Sequence, residues 1–145
     1  MDVTDADLLG EQLVWAATNP AGENQAFNIA NGDTFRWRWL WPQLAKYFGM
    51  DYEGPKAEQI QPLAQQMIDA QSAWEGIAKK QGLAVSDVSK LASWWHTDGD
   101  LGRTIECFTD MTKSREAGFL NFRSTPKSFF AKVQAYRDAN ILPKA

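Results

Sequence analysis

Seven tryptophans and eight phenylalanines stand among 145 residues. Many of them recur, with Leu, Ile or Val between them, at intervals of three or four. That spacing marks helices with one apolar face, so the chain is constrained to a helix-rich fold before any other feature is weighed. Tryptophan is demanding as well, because its ring gains from burial while its N–H needs a partner. A chain so rich in it has a large core, a binding pocket, or a surface meant to be covered.

The helical pattern is plain over 34–48, where Trp37, Leu40, Trp41, Leu44 and Phe48 share one face and Gly49 suits the position after the last turn. Pro42 removes one backbone bond, so this helix starts late or kinks. A second long helix is predicted over 62–82, opened by Pro62, carrying Leu63, Met67, Ala70, Trp74 and Ile77 on one face, and closed by Gly82. Thr4 reads as the cap of a helix over 5–18 with Leu9, Leu13 and Ala16 inward, ended by Asn19-Pro20-Ala21-Gly22. Ser86 reads as the cap of a short helix with Val88, Leu91 and Trp95, and 110–117 as a brief helix closed by Gly118. Thr125-Pro126, a cap followed by proline at the first helical position, opens a last helix to about Asn140. Residues 50–60 and 97–104 read as loops. Gln25 to Ala30 and Ile105 to Thr109 read as short strands. The expected class is α+β, mostly helical with two or three short strands, in one domain over 1–145.

At this length a single core is feasible. Hydrophobic residues at 44% and charged residues at 23% are ordinary for a folded chain and argue against disorder. A net charge of −3 argues against nucleic acid as a main partner. No apolar run is long enough to cross a bilayer. The acidic start, Met1-Asp2-Val3-Thr4-Asp5, lacks a signal pattern. Cys107 stands alone, cannot form an internal disulfide and suits a reducing compartment, so the expected location is cytoplasmic.

Few residues invite chemistry. The ten glycines form no nucleotide-binding turn. One His and one Cys cannot make a usual zinc site, so no metal is expected. His96 is a general base, a substrate donor or a plain loop residue, and the last reading is favoured because no partner motif accompanies it. Asp5, Asp7, Asp98 and Asp100 sit where caps and turns want them. Cys107 reads as a buried, inert thiol. Phe35-Arg36-Trp37-Arg38-Trp39 interleaves base and aromatic, which single-strand binders also do, but tryptophan in the core with arginine in water explains it better. Adjacent Trp94 and Trp95 beside an Asp-Gly stretch suit an apolar ligand pocket or core packing equally.

Asn28-Ile-Ala-Asn31-Gly32-Asp33, then Phe35-x-Trp37-x-x-x-Trp41, make a recognisable pattern. Asp5-Ala6-Asp7-Leu8, Trp15-Ala16-Ala17, Trp94-Trp95-x-x-Asp98 and Met111-Thr-Lys113-Ser114-Arg-Glu116-x-Gly118-Phe119 accompany it in order. With Phe122-Arg123 and the helix at Phe129, this resembles the C-terminal part of the progesterone 5-beta-reductase/iridoid synthase-like family of extended short-chain dehydrogenases/reductases, along essentially the whole chain. The resemblance implies a C-terminal substrate-binding lobe of an NADPH-dependent reductase of activated C=C bonds in enones and enals. The family's Gly-rich cofactor turn and its catalytic Tyr and Lys lie in the N-terminal part, so the resemblance implies no catalytic or cofactor-binding residue here and no cofactor held by this chain alone. Tyr47, Tyr52 and Tyr136 match other parts of the family. Trp94, Trp95 and His96 correspond to a segment that borders the substrate pocket, with His96 standing where an aromatic is common. The implied partners are an apolar carbonyl compound and either a cofactor-binding N-terminal half or a second copy of the chain. The alternative is a free-standing homo-oligomeric module that binds apolar carbonyl ligands without catalysis. A third reading, an unrelated enzyme using His96 with Asp98 or Asp100, rests on the lone histidine.

Overall fold

α1 (Ala6–Thr18) begins where a carboxylate meets two free amides: Asp5 Oδ1 accepts from Asp7 N at 2.8 Å and Leu8 N at 3.3 Å. The cap is therefore Asp5, one residue after the predicted Thr4, whose hydroxyl donates instead to the Ile29 carbonyl at 3.0 Å. The computed structural model describes residues 2–54 and 61–144, which form two compact units. The first comprises Met1–Ala45 and Glu106–Ala131, the second Lys46–Ile105 and Lys132–Ala145. Six further helices are described: α2 (Trp37–Tyr47), α3 (Leu63–Gln66), α4 (Ala70–Gln81), α5 (Trp94–Leu101), α6 (Thr112–Glu116) and α7 (Thr125–Asp138). None is long and apolar enough to cross a membrane.

In the first unit the core is Phe35, Leu40 and Leu44, with Val3, Trp37, Phe129 and Phe130 packed against it. Burying each of these large side chains contributes about 1.5–3 kcal/mol. Trp41, predicted on the same face, stays half exposed. Pro42 lies inside α2, and the Gln43 side chain donates to the Trp39 carbonyl beside it at 2.8 Å. α1 turns a different stripe inward from the one its spacing suggests: Leu8 and Gln12 are buried, while Leu9 and Leu13 face out. The helix is apolar on two sides, and the choice between them is made by a polar contact, Gln12 Nε2 to the Asn28 carbonyl at 3.1 Å. Past α1, Asn19 caps a 3₁₀ turn at Pro20–Gly22. Gly22 is buried there, and only glycine fits, because any side chain would run into the Ala16 backbone.

No strand is present among the described residues, which corrects both strand predictions. Residues 25–30 are extended, but side chains take the place of a ladder. The carbonyls of Ala26, Asn28 and Ile29 accept from Lys113 Nζ, Gln12 Nε2 and Thr4 Oγ1. An extended segment needs its polar backbone satisfied, and alternation alone does not say by whom. Residues 105–109 are exposed, so Cys107 is an exposed thiol, not a buried one.

Asn31-Gly32-Asp33 ties this unit together. Asn31, 2% exposed, accepts from Asp5 N at 2.7 Å and donates to Thr125 Oγ1 at 3.1 Å. Asp33 accepts from Thr125 Oγ1 at 2.6 Å and Thr125 N at 2.7 Å, so its carboxylate closes the start of α7. Ser128 Oγ donates to Asp5 Oδ2. Thr125 is thus the first residue of the helix, with Ser128 N bonded to Ser124 O, and the cap lies one residue before its predicted place. A negative charge at a helix start is favourable as well as a satisfied bond. Two helix starts and one turn share this network.

In the second unit the predicted helix over 62–82 is broken into α3 and α4. Asp69 prefers a helix start to an interior position, and Ser72 Oγ donates to its carbonyl at 3.1 Å. Gly82 adopts the left-handed conformation that ends α4. The returning loop is then held by Trp74 Nε1 on the Val85 carbonyl at 2.9 Å and by Gln71 on Val88 N at 2.9 Å. Asp87, not Ser86, caps the 3₁₀ turn at Val88–Lys90. Residues 97–101, predicted as loop, continue α5, because its turn-forming carboxylates are engaged elsewhere: Asp98 bonds α3, and Asp100 bonds Arg103 at 2.7 Å. Of the predicted loop over 50–60, residues 55–60 lie outside the described residues.

Candidate functional site

The three residues expected to border a substrate begin α5. Ser93 precedes the helix, and Thr97 returns to it through both backbone and hydroxyl at 3.1 Å. That turn sets Trp94, Trp95 and His96 around the helix start, with Trp94 half-buried and Trp95 74% exposed. The Trp95 and His96 rings meet edge to face at 5.6 Å. His96 Nδ1 lies 3.6 Å from Asp100 Oδ2, one helical turn on.

Asp98 is not available to His96. Its two oxygens accept from Leu63 N at 2.6 Å and Ala64 N at 3.0 Å, which makes it the cap of α3 from another helix. Of the two carboxylates considered with His96, the structure pairs only Asp100. That pair is exposed on both sides, so solvent screens it and it gains little. The arrangement offers an exposed apolar ring with a polar ring at its edge, a surface that can lie against an apolar ligand and reach one polar atom of it.

The first unit has a small cleft of about 170 Å³ at the Asn31-Gly32-Asp33 turn. Buried Ala30 and Met111 are part of its lining, with Asp2, Asp33, Thr109 and Arg115 as polar groups. Gly32 has φ +90°, and a side chain there would come within 3.1 Å of Arg115 Nη2, so glycine lets the guanidinium approach the turn. Thr109 N donates to Asp2 Oδ2, and Asp33 is committed to Thr125. Most of the polar lining is therefore engaged in holding the turn, and the volume is below that of ordinary ligand pockets. This cleft was not legible in advance, although an Asn-Gly-Asp run is a signal for left-handed backbone. Asp110, beside it, is held below its ordinary value of 3.8 by the Thr112 hydroxyl and amide.

Most of the segments that made the sequence recognisable lie in this unit. Trp15 meets Phe27 edge to face at 5.2 Å and the tilted Phe119 ring at 5.5 Å, and Lys113 Nζ lies 5.2 Å over the Phe27 ring. Asn28 Nδ2 donates to the Asp110 carbonyl at 3.1 Å, and Arg123 pairs with Glu11. These are packing and turn contacts. A pyrophosphate-binding turn needs helix-start amides open to an anion. Here Asp5, Asp98 and Asp33 already fill the starts of α1, α3 and α7, so these positions do not fit a dinucleotide cofactor. Among the described residues no three His, Cys, Asp or Glu side chains gather to hold a metal ion.

No family model matches the chain. Curated proteins match it closely, and by name they are enzymes, enol synthases and a reductase. The (S)-8-oxocitronellyl enol synthase of Camptotheca acuminata is 39% identical over 142 residues, 97% of this chain and 36% of that protein. The corresponding synthase of Antirrhinum majus is also 39% identical, over 98% of this chain and 36% of its own length. The 3-oxo-Delta(4,5)-steroid 5-beta-reductase of Arabidopsis thaliana is 37% identical over 144 residues, 99% of this chain and 37% of that protein. Over almost its whole length the chain is homologous to the C-terminal part of iridoid synthase and progesterone 5-beta-reductase-like proteins, and it spans a little over a third of the length of these relatives.

Proposed function

We propose that this chain is the substrate-side portion of an NADPH-dependent reductase of activated C=C bonds in enones and enals, with hydride transfer carried out by another part of such a protein. The carrying observation is similarity over 97–99% of the chain to proteins of which it spans only 36–37%. Their names describe one reaction type. In a 3-oxo-Δ4,5 steroid, C5 is the β carbon of an enone, and adding hydride there leaves an enol or enolate at the carbonyl end. An enol synthase acting on an oxo compound is named for that species.

Trp94, Trp95 and His96 are the residues we assign to the substrate. Trp95 offers an exposed apolar face, and His96 at its edge makes the site more polar than an aromatic would. The outward stripe of α1, with Leu13 63% exposed, and the exposed Phe108, Leu120 and Phe122 support the reading that apolar surface of this chain is covered by further protein.

The test is a titration of the purified chain with NADPH and, separately, with a 3-oxo-Δ4,5 steroid, followed by tryptophan fluorescence. No saturation by NADPH is expected in the micromolar range, whereas the steroid quenches and Trp95→Ala abolishes the quenching. Saturable NADPH binding or turnover by the chain alone overturns the reading. The same exposed apolar residues favour a second reading, a homo-oligomeric module binding apolar carbonyl compounds without catalysis. Light scattering that finds a dimer independent of concentration selects it.

A further inference from the structure

Two charged side chains are buried among the described residues, and they are treated very differently. Asp5 accepts from two amides and a hydroxyl. Arg137, on α7 and 8% exposed, has no carboxylate in reach and no acceptor on any of its nitrogens among the described residues. Its guanidinium carbon lies 4.6 Å over the Tyr47 ring and 5.0 Å over the Phe48 ring. Those rings are themselves fixed edge to face at 5.3 Å, and Tyr47 O–H donates to Gln134 Oε1 at 2.8 Å. Gln134 Nε2 in turn donates to Asp138 at 2.9 Å, which engages the neighbouring acid away from Arg137.

Nε is shut off from solvent with no acceptor among the described residues, and the two terminal nitrogens are not shut off in this way. The fork of terminal nitrogens is therefore the part of the cation left for an anion to reach. Burying a guanidinium unpaired is costly, and cation–π attraction to each ring offsets only part of that cost. An anion on the terminal nitrogens neutralises the buried charge. A planar carboxylate matches the two parallel N–H bonds of the fork, and Asp138 one residue on disfavours a dianion.

We propose that Arg137, set against the Tyr47 and Phe48 rings, is a receptor for a carboxylate. The proposal stands on these contacts alone and survives failure of the reductase reading. The carboxylate comes either from a free small acid or from an Asp or Glu side chain of a polypeptide, and the experiment separates the two.

The purified ¹⁵N-labelled chain is titrated with benzoate, with the peptide acetyl-Gly-Glu-Gly-amide and with benzamide as the neutral control, following the Arg137 Nε–H and the Tyr47 ring protons. Saturable shifts from a carboxylate, absent with benzamide, are expected. Tighter binding of benzoate assigns a free acid, and tighter binding of the peptide a polypeptide side chain. Arg137→Lys keeps the charge but loses the fork, and weakens binding about tenfold by the Tyr47 signal. Shifts equal to those of benzamide, or no saturation by either carboxylate, overturn the proposal using the unaltered protein, whatever the variant does to stability.

Discussion

Seven of the nine buried apolar residues described lie in the first unit, and the second has Ala78 and Val133. The first unit is held by a core of Phe35, Leu40 and Leu44 and by a buried polar network through Asn31. In the second, local devices stand out: Asp98 capping α3, Asp87 capping a 3₁₀ turn, Trp74 on a loop carbonyl and two rings around Arg137. Most of the motifs that made the family recognisable belong to the first unit, and there they serve folding. The residues assigned to the substrate lie in the second, on a helix with no fully buried side chain. Recognisability and chemistry are carried by different parts of the chain.

The contrast can be broken most directly at the core. Phe35→Ala should lose about 3–5 kcal/mol in denaturant unfolding, because it empties a packed site in the better-buried unit. Asn31→Ala should cost about 3 kcal/mol, since Asp5 N and Thr125 Oγ1 both lose their partner in a buried setting. Hydrogen exchange should place that loss at the starts of α1 and α7 and leave α4 protected. Protection lost evenly along the chain would mean that the two units do not differ in what stabilises them.

Smaller effects sharpen the second unit. Asp98→Ala should cost about 1 kcal/mol and free the Leu63 and Ala64 amides to exchange. Acid acts on both units through single caps. Asp87 is held below its ordinary 3.8 by the Ser89 hydroxyl and amide, and Asp110 by those of Thr112. A carboxylate with a depressed folded value contributes stability above its unfolded value and loses it as pH falls through the folded one. Protection of the Ser89 and Thr112 amides should therefore fall as pH drops below the ordinary carboxylate value of 3.8, and Asp87→Asn should remove the dependence at Ser89 only. Trp95→Ala should change unfolding by no more than about 0.5 kcal/mol, because the ring is mostly in water. A large loss there would make Trp95 a core residue and remove its assignment to the substrate.

Helix positions were legible where apolar spacing and punctuation agree. Gly82 ends α4, Asn140 takes the left-handed conformation just after α7, and Gly118 does the same after α6. Caps were legible only to within one residue, because Thr4 and Asp5, or Ser86 and Asp87, are both competent acceptors and the surroundings choose between them. The strands were misread because alternation reports an extended backbone and says nothing of its partner. At 25–30 the partners are three side chains from distant positions. The inward face of α1 was misread for a similar reason, since Leu8 and Leu9 are equally apolar and Gln12 decides. In the candidate site, Trp94, Trp95 and His96 could be singled out by type, but their exposure could not. Arg137 carries no sequence signal, because the rings around it come from another helix and the residue just beyond it.

By itself, then, the sequence determined a helix-rich chain, its likeness to these relatives, the stretches that become helices, and the turns where glycine, asparagine and proline interrupt them. Those follow from backbone sterics and apolar periodicity, which act over a few residues. Tertiary structure alone decided which face of α1 is buried, which carboxylate caps which helix, that residues 25–30 join no strand among the described residues, and that Arg137 is buried against two rings. Each of those depends on a partner tens of residues away, and no local rule specifies the partner.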